Sequence, residues 1–214
     1  MIILNILNGM TMSRSGEATR QNILDAAQAI ILQRGFAGAS IDRIIARAKI
    51  TKGAFFHHFP NKAALAEALI SRFIDAEATL LDDICLRAGR LSEDPVQRVL
   101  NILGLYADAL DQHPEVVEGC LYASVALQRS EYPETVSAIT AKSIERTIEK
   151  LRPYYQAAMD SAPLRKPLTV EELLDLFICM GEGALILAGQ RQDPVVPGRV
   201  FRTLQAHTAV IFGR

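Results

Sequence analysis

Cysteine is scarce: Cys85, Cys120 and Cys179 are the only three in 214 residues, far apart and odd in number. That excludes a disulfide framework and a zinc site with paired Cys ligands. It fits a reducing compartment, so a cytoplasmic location is expected. Strand signals are lacking too, since no alternating apolar run of strand length is bounded by turn residues. Catalytic signatures are absent as well. There is no H-E-x-x-H, Gly-rich phosphate loop or nucleophile elbow, and none of His57, His58, His113 and His207 follows a Glu by three residues, as a di-iron bundle requires. An enzyme is therefore not expected, and neither a cofactor nor a metal is implied. The opening MIILNILNGM is apolar but has no basic n-region and no small-residue cleavage site. It is also too short to span a bilayer, so no membrane partner is expected. Met10 or Met12 is the expected start, and residues 1–16 are expected to form a disordered extension.

What is present is apolar and helical in period. Half of the residues are hydrophobic, enough for a substantial core. The net charge of −1 conceals an asymmetry. Residues 12–62 hold eight Lys or Arg against three acids, a net +5 that leaves −6 for the remainder. A basic end on an acidic body suits a molecule that offers one end to a polyanion.

That basic end contains SIDRIIARAKITKGAFFHHFPNK, residues 40–62. Ile41, Ile44, Ile45 and Ala48 fall at i, i+3, i+4 and i+7, one apolar face of a short helix with Ser40 placed to cap it. Thr51 can cap a second short helix, whose Phe55 and Phe59 share an inward stripe while Lys52, Phe56 and His57 point elsewhere. Pro60 stops it, and Asn61 can cap a third helix with Lys62 in its first turn. Upstream, Ile23, Leu24, Ala27, Ile30 and Ile31 stripe a helix over 17–34, with Gly35 and Phe36 as its stop. The helix opening at Asn61 carries Leu65, Leu69, Phe73 and Leu80 until Gly89 and links the basic end to the rest.

The order of short helix, turn, T-K-G-x-F-F-H-H-F and P-N-K resembles the helix-turn-helix of TetR-type one-component regulators, from about Arg20 to Ile70. The resemblance implies an all-α fold, with a three-helix DNA-binding domain at 17–62 and an effector-binding and dimerisation domain at 63–214. It places Thr51, Gly53, Phe56 and His57 at or near a DNA groove. It gives Lys52, His58 and Lys62 to phosphates, with Arg43 as a weaker candidate. Two positions depart from the family pattern. Lys49 stands where the turn usually has Gly, at a cost of about 1 kcal/mol if its backbone is left-handed, and Phe56 replaces a Tyr whose hydroxyl can reach phosphate. Two adjacent His on a helix diverge by about 100°, which makes a metal site a poor alternative.

Beyond residue 90 the starts Asp94-Pro95, Pro114, Pro133 and Thr169, the last with Glu172 as a capping box, predict helices over 95–112, 115–128, 133–159, 169–191 and 198–212. Small residues at Gly181, Gly183, Ala184 and Ala188 allow another helix to come close. With Phe177, Leu187 and Leu204 they resemble the helices through which TetR-type proteins pair; an intrachain hairpin is the other reading. Tyr106, Cys120, Tyr122, Phe177 and Met180 would suit an apolar effector pocket with polar anchors, as the family implies, although each also fits ordinary core packing. Cys120 is read either as a thiol sensor or as a buried structural thiol; no Lys or Arg stands near it in sequence to lower its pKa. The expected function is a ligand-responsive repressor that binds a near-palindromic operator as a homodimer and is released by a small molecule. A helical adaptor whose head meets a protein, and an activator with the same fold, remain as alternatives.

Overall fold

In a computed structural model the described residues are 15–112 and 120–214. Among them every regular element is a helix: α1 Ser15–Gly38, α2 Ile41–Ala48, α3 Lys52–His58, α4 Lys62–Leu91, α5 Pro95–Asp111, α6 Leu121–Leu127, a 3-10 turn Arg129–Glu131, α7 Glu134–Ser161, α8 Val170–Arg191 and α9 Val196–Ile211. Of the expected disordered extension, Ser15 and Gly16 instead begin α1, and the rest lies outside the described residues. The helix predicted over 115–128 is not continuous: Cys120 is extended and α6 spans only Leu121–Leu127, while 115–119 lie outside the described residues.

Two compact units emerge. One gathers residues 15–76 and 120–142; the other gathers 77–112 and 143–214. The first is built on the α1 stripe, in which Ile23, Leu24, Ala27, Ile30 and Ile31 are all buried with Ile44, Phe55, Phe59, Leu65 and Leu69. Its short helices depend on their ends. Ser40 Oγ accepts from the Arg43 N–H at 3.4 Å, Thr51 Oγ1 from Ala54 at 3.1 Å and Asn61 Oδ1 from Ala64 at 2.8 Å, so each predicted cap forms. The Asn22 amide donates to the Ala48 carbonyl at 2.7 Å, closing the far end of α2. Arg72 of α4 is largely buried and reaches three acceptors on α1: Gln21 at 3.1 Å, Asp25 at 2.8 Å and Gln28 at 3.1 Å.

The second unit centres on α9, which packs along α5 and against α8. Asp94 caps α5, accepting from Val96 and Gln97, with Pro95 in the first turn where its missing N–H costs nothing. Thr169 and Glu172 form the predicted capping box of α8. Arg202 pairs with both Asp108 and Asp111, and the Gln205 amide donates to the Leu100 carbonyl at 2.7 Å, so α9 is held to α5 by polar ties beside its apolar face. Tyr155 is wholly buried, and desolvation pushes its phenol far above the usual range, so it stays neutral.

Two backbone positions of the first unit carry strain or need glycine. Lys49 adopts a left-handed conformation, φ 54° and ψ 45°, in the turn between α2 and α3. Gly35 sits at φ 73° and ψ 169°, a region only glycine occupies readily, and ends the regular part of α1. Lys49→Gly is expected to raise the unfolding free energy by roughly 1 kcal/mol in urea titrations, because the Cβ conflict disappears. Gly35→Ala should lower it by about 2 kcal/mol or more. A neutral result at either position would show that the backbone there relaxes without cost.

Candidate nucleic-acid interface

A seven-residue helix cannot hold itself in water, so α3 takes its orientation from what it buries. Phe55 is fully buried, and its ring meets those of Phe56 and Phe59 at centroid separations of 5.3 Å and 6.1 Å. With Phe55 and Phe59 turned inward, the helical period leaves Lys52, Gly53, Phe56 and His57 facing water, and Thr51 is exposed at the cap. Phe56 keeps 42% of its surface exposed, although the core beside it accepts two other phenylalanines. His58 is half-buried and edge-on to His57, with ring centroids 5.1 Å apart.

Gly53 is informative for what does not surround it. A Cβ built there would meet only Thr51 Oγ1, at 4.0 Å, so internal packing does not require a glycine. Glycine inside a helix costs about 1 kcal/mol relative to alanine, and that cost has no return within the fold. The bare, exposed backbone is suited to a close approach from outside.

The cations divide. Lys52 is exposed on the same face of α3, with Lys49 exposed in the preceding turn. Arg43 instead donates to the Gly38 carbonyl at 2.7 Å, which turns its guanidinium back toward α1. The Lys62 ammonium donates to the Phe36 carbonyl and lies 4.0 Å from the centre of the Phe36 ring. Desolvation moves its pKa below the usual lysine range, while Glu131 acts in the opposite direction. Lys62 is thus held by its own fold, a commitment that its place in a helix first turn did not reveal. Thr51, Lys52, Gly53, Phe56 and His57 form one continuous exposed surface; Arg43 and Lys62 stand apart from it in what they bind.

Residues 23–69 match the family described as bacterial regulatory proteins, tetR family. That stretch is a TetR-family helix-turn-helix domain. It is 24% identical over 171 residues to the HTH-type transcriptional repressor DhaR of Mycobacterium sp. (strain GP1), covering 78% of this chain and 80% of that protein. It is 25% identical over 177 residues to the transcriptional regulator AcuR of Cereibacter sphaeroides, covering 82% and 79%. Among solved structures, the regulatory protein TetR from Rhodobacter sphaeroides superposes with a TM-score of 0.71 at 23% identity, over 87% of this chain and 97% of that one. The helix-turn-helix and the helical remainder together have a known fold, and the matched domain and relatives make the chain a helix-turn-helix DNA-binding regulator.

The residues expected to bind an effector fall into two groups. In the second unit, Tyr106, Phe177 and Phe201 form an aromatic cluster with ring centroids 4.7 to 5.4 Å apart. Met180 is half-buried on α8. In the first unit Cys120 is buried at the start of α6, and the Tyr122 ring stands edge-on to Phe73 at 5.0 Å. A recess of about 410 Å³ in the second unit is lined by Arg165, Lys166, His207, Val210 and Ile211, none of them among the expected residues. No helix among the described residues is long and apolar enough to cross a membrane.

The residues expected at a dimer interface differ in exposure. Phe177, Ala184, Ala188 and Leu204 are buried within the chain, and a Cβ built at Gly181 would lie 3.5 Å from the Phe201 ring. Phe177 and Gly181 of α8 thus face Phe201 of α9 in the same chain. Of the six, Leu187 alone is exposed, at 37%. Leu176, Ile186, Val195 and Val210 are exposed as well, and a Cβ at Gly183 would meet nothing within 4 Å.

Gly53→Ala separates the two roles of α3. It should raise thermal stability slightly, by up to about 1 kcal/mol, since a helix glycine is removed where a methyl fits. Affinity for operator DNA should fall in the same protein, measured by fluorescence anisotropy. Equal affinity in the stabilised variant would place the contact surface elsewhere.

Proposed function

We propose that this regulator is a repressor that binds, as a homodimer, an operator of approximate two-fold symmetry, and that a small-molecule effector releases it. The observation that carries the reading is the outward face of α3, where Phe56 stays exposed and Gly53 is bare without an internal reason. A helix of this kind fits the major groove. Thr51 and Gly53 would lie against the backbone or base edges, Phe56 and His57 would supply apolar and polar contacts to bases, and Lys52 would hold a phosphate with His58 at the margin. Phe56 cannot donate to phosphate, so its contribution is apolar contact of the kind a thymine methyl accepts.

Pairing of two copies is supported by the second unit. Leu176, Ile186 and Leu187 on α8 and Val210 on α9 expose apolar surface, which isolated solvated helices would not favour. A two-fold interface there would set the two α3 helices about 34–36 Å apart, or near a multiple of it, to reach successive major grooves. An effector that favours the conformer with wrongly spaced heads would shift the population away from DNA, with α4 as the continuous helix that carries the change. The candidates for that contact are Tyr106, Phe177 and Met180 in the second unit and, separately, Cys120 and Tyr122 in the first. DhaR, which matches most of the chain, is itself named as a repressor. The setting is the cytoplasm, with no enzymatic step.

Lys52→Ala should weaken DNA binding across sequences and reduce the slope of log K against log salt by about 1, in an anisotropy titration at several salt concentrations. An unchanged slope would remove Lys52 from the phosphate contacts. Leu187→Glu with Ile186→Glu should convert the dimer to a monomer in light scattering and weaken operator binding by about tenfold or more. A dimer that persists would rule out this face.

A further inference from the structure

Between α1 and α2 the chain turns through Phe36–Ala39, and this corner is held by residues from far along the sequence. The break at Gly35 takes the next two N–H groups out of the α1 ladder. The Phe36 N–H donates to Gln128 Oε1 at 3.1 Å, across 92 residues, and the Ala37 N–H to Glu131 Oε2 at 3.0 Å, across 94. The Phe36 ring stacks on Tyr132 with centroids 4.3 Å apart and planes 22° from parallel. With that face filled, the Lys62 ammonium takes the other, and it also donates to the Phe36 carbonyl. Tyr132 is itself fixed, its hydroxyl 2.9 Å from Ser124 Oγ. Gly35 completes the fit, since a Cβ there would lie 2.5 Å from Gln128 Oε1.

Directly after this corner come the Ser40 cap and Arg43, whose guanidinium bonds the Gly38 carbonyl. The direction in which α2 leaves α1 is therefore set at Phe36–Ala39, and α3 follows α2 through the strained turn at Lys49. Two independent acceptors, a stacked ring and a cation hold one four-residue corner. Nothing in α1, α2 or α3 alone could satisfy those two N–H groups.

We propose that Gln128, Glu131 and Tyr132 are positioning residues for DNA recognition: they strap the Phe36–Ala39 corner and thereby hold the reading helix in its binding orientation without touching DNA. This rests on the DNA-binding reading above. The strap makes the head discontinuous in sequence, since the turn after α6 is part of the apparatus that aims α3. Affinity is gained because the orientation is set before DNA arrives.

The test uses the full-length protein and a fluorescein-labelled duplex enriched by the wild-type protein from a random-sequence pool. Gln128→Ala and Glu131→Ala should each weaken binding by about tenfold, with the salt slope unchanged, because an orienting contact is lost and no phosphate contact is. Glu131→Gln keeps a carbonyl acceptor for the Ala37 N–H and should bind within about twofold of wild type. Hydrogen exchange gives a second measurement: the Phe36 amide in Gln128→Ala, and the Ala37 amide in Glu131→Ala, should exchange faster while amides of α5 and α9 stay protected. Unchanged affinity, a reduced salt slope, or tighter binding by Glu131→Ala would overturn the proposal, the last because it would mean that the carboxylate merely repels phosphate. Unchanged amide exchange would overturn it as well. If the wild-type protein enriches no duplex, the DNA-binding reading fails by itself, and the exchange experiment still decides whether the strap exists.

Discussion

Everything at the reading end depends on how a helix of seven residues is kept in one orientation. Such a helix forms few of its own hydrogen bonds and would melt alone. Burial of Phe55 and Phe59, the Thr51 cap and the left-handed Lys49 before it together leave α3 one way to lie. The face opposite Phe55 is then free of structural duty. That freedom lets it carry residues a fold would otherwise avoid at a surface, an uncovered phenylalanine and a glycine in the first turn of the helix.

The same economy recurs around α1. Arg72 reaches Gln21, Asp25 and Gln28, and Asn22 closes the end of α2, so side chains along one face of α1 lock its neighbours. Gln28 is buried, and the Arg72 guanidinium satisfies its carbonyl; a polar group in that place without a partner would be costly. In the second unit α9 plays the corresponding part, tied to α5 by Arg202 and Gln205 and packed on α8 through Phe201.

Local signals are legible in the chain itself. Caps at Ser40, Thr51 and Asn61, the capping box at Thr169 and the α1 stripe are short-range patterns, and each forms as read. The left-handed backbone at Lys49 is signalled only by the glycine that TetR-type turns usually carry at that place, not by this chain's own residues. Long-range partners are not legible. Lys62 in a first turn looks free for phosphate, but its ammonium is taken by a carbonyl 26 residues earlier. The small residues of α8 carry no mark to say whether the approaching helix belongs to the same chain; the Phe201 ring of the chain's own α9 lies beside Gly181, and Ala184 and Ala188 are buried.

Period and caps thus determined from sequence alone that the chain is helical, where its short helices begin, and that Phe56 and His57 would face water, since these follow from interactions within a few residues. The tertiary structure decided which cations remain free, which apolar residues stay outside, and that Gln128, Glu131 and Tyr132 join a head they follow by some ninety residues. The reason is physical: hydrogen bonds and ring contacts between distant segments depend on where the whole chain closes, and no local pattern encodes that closure.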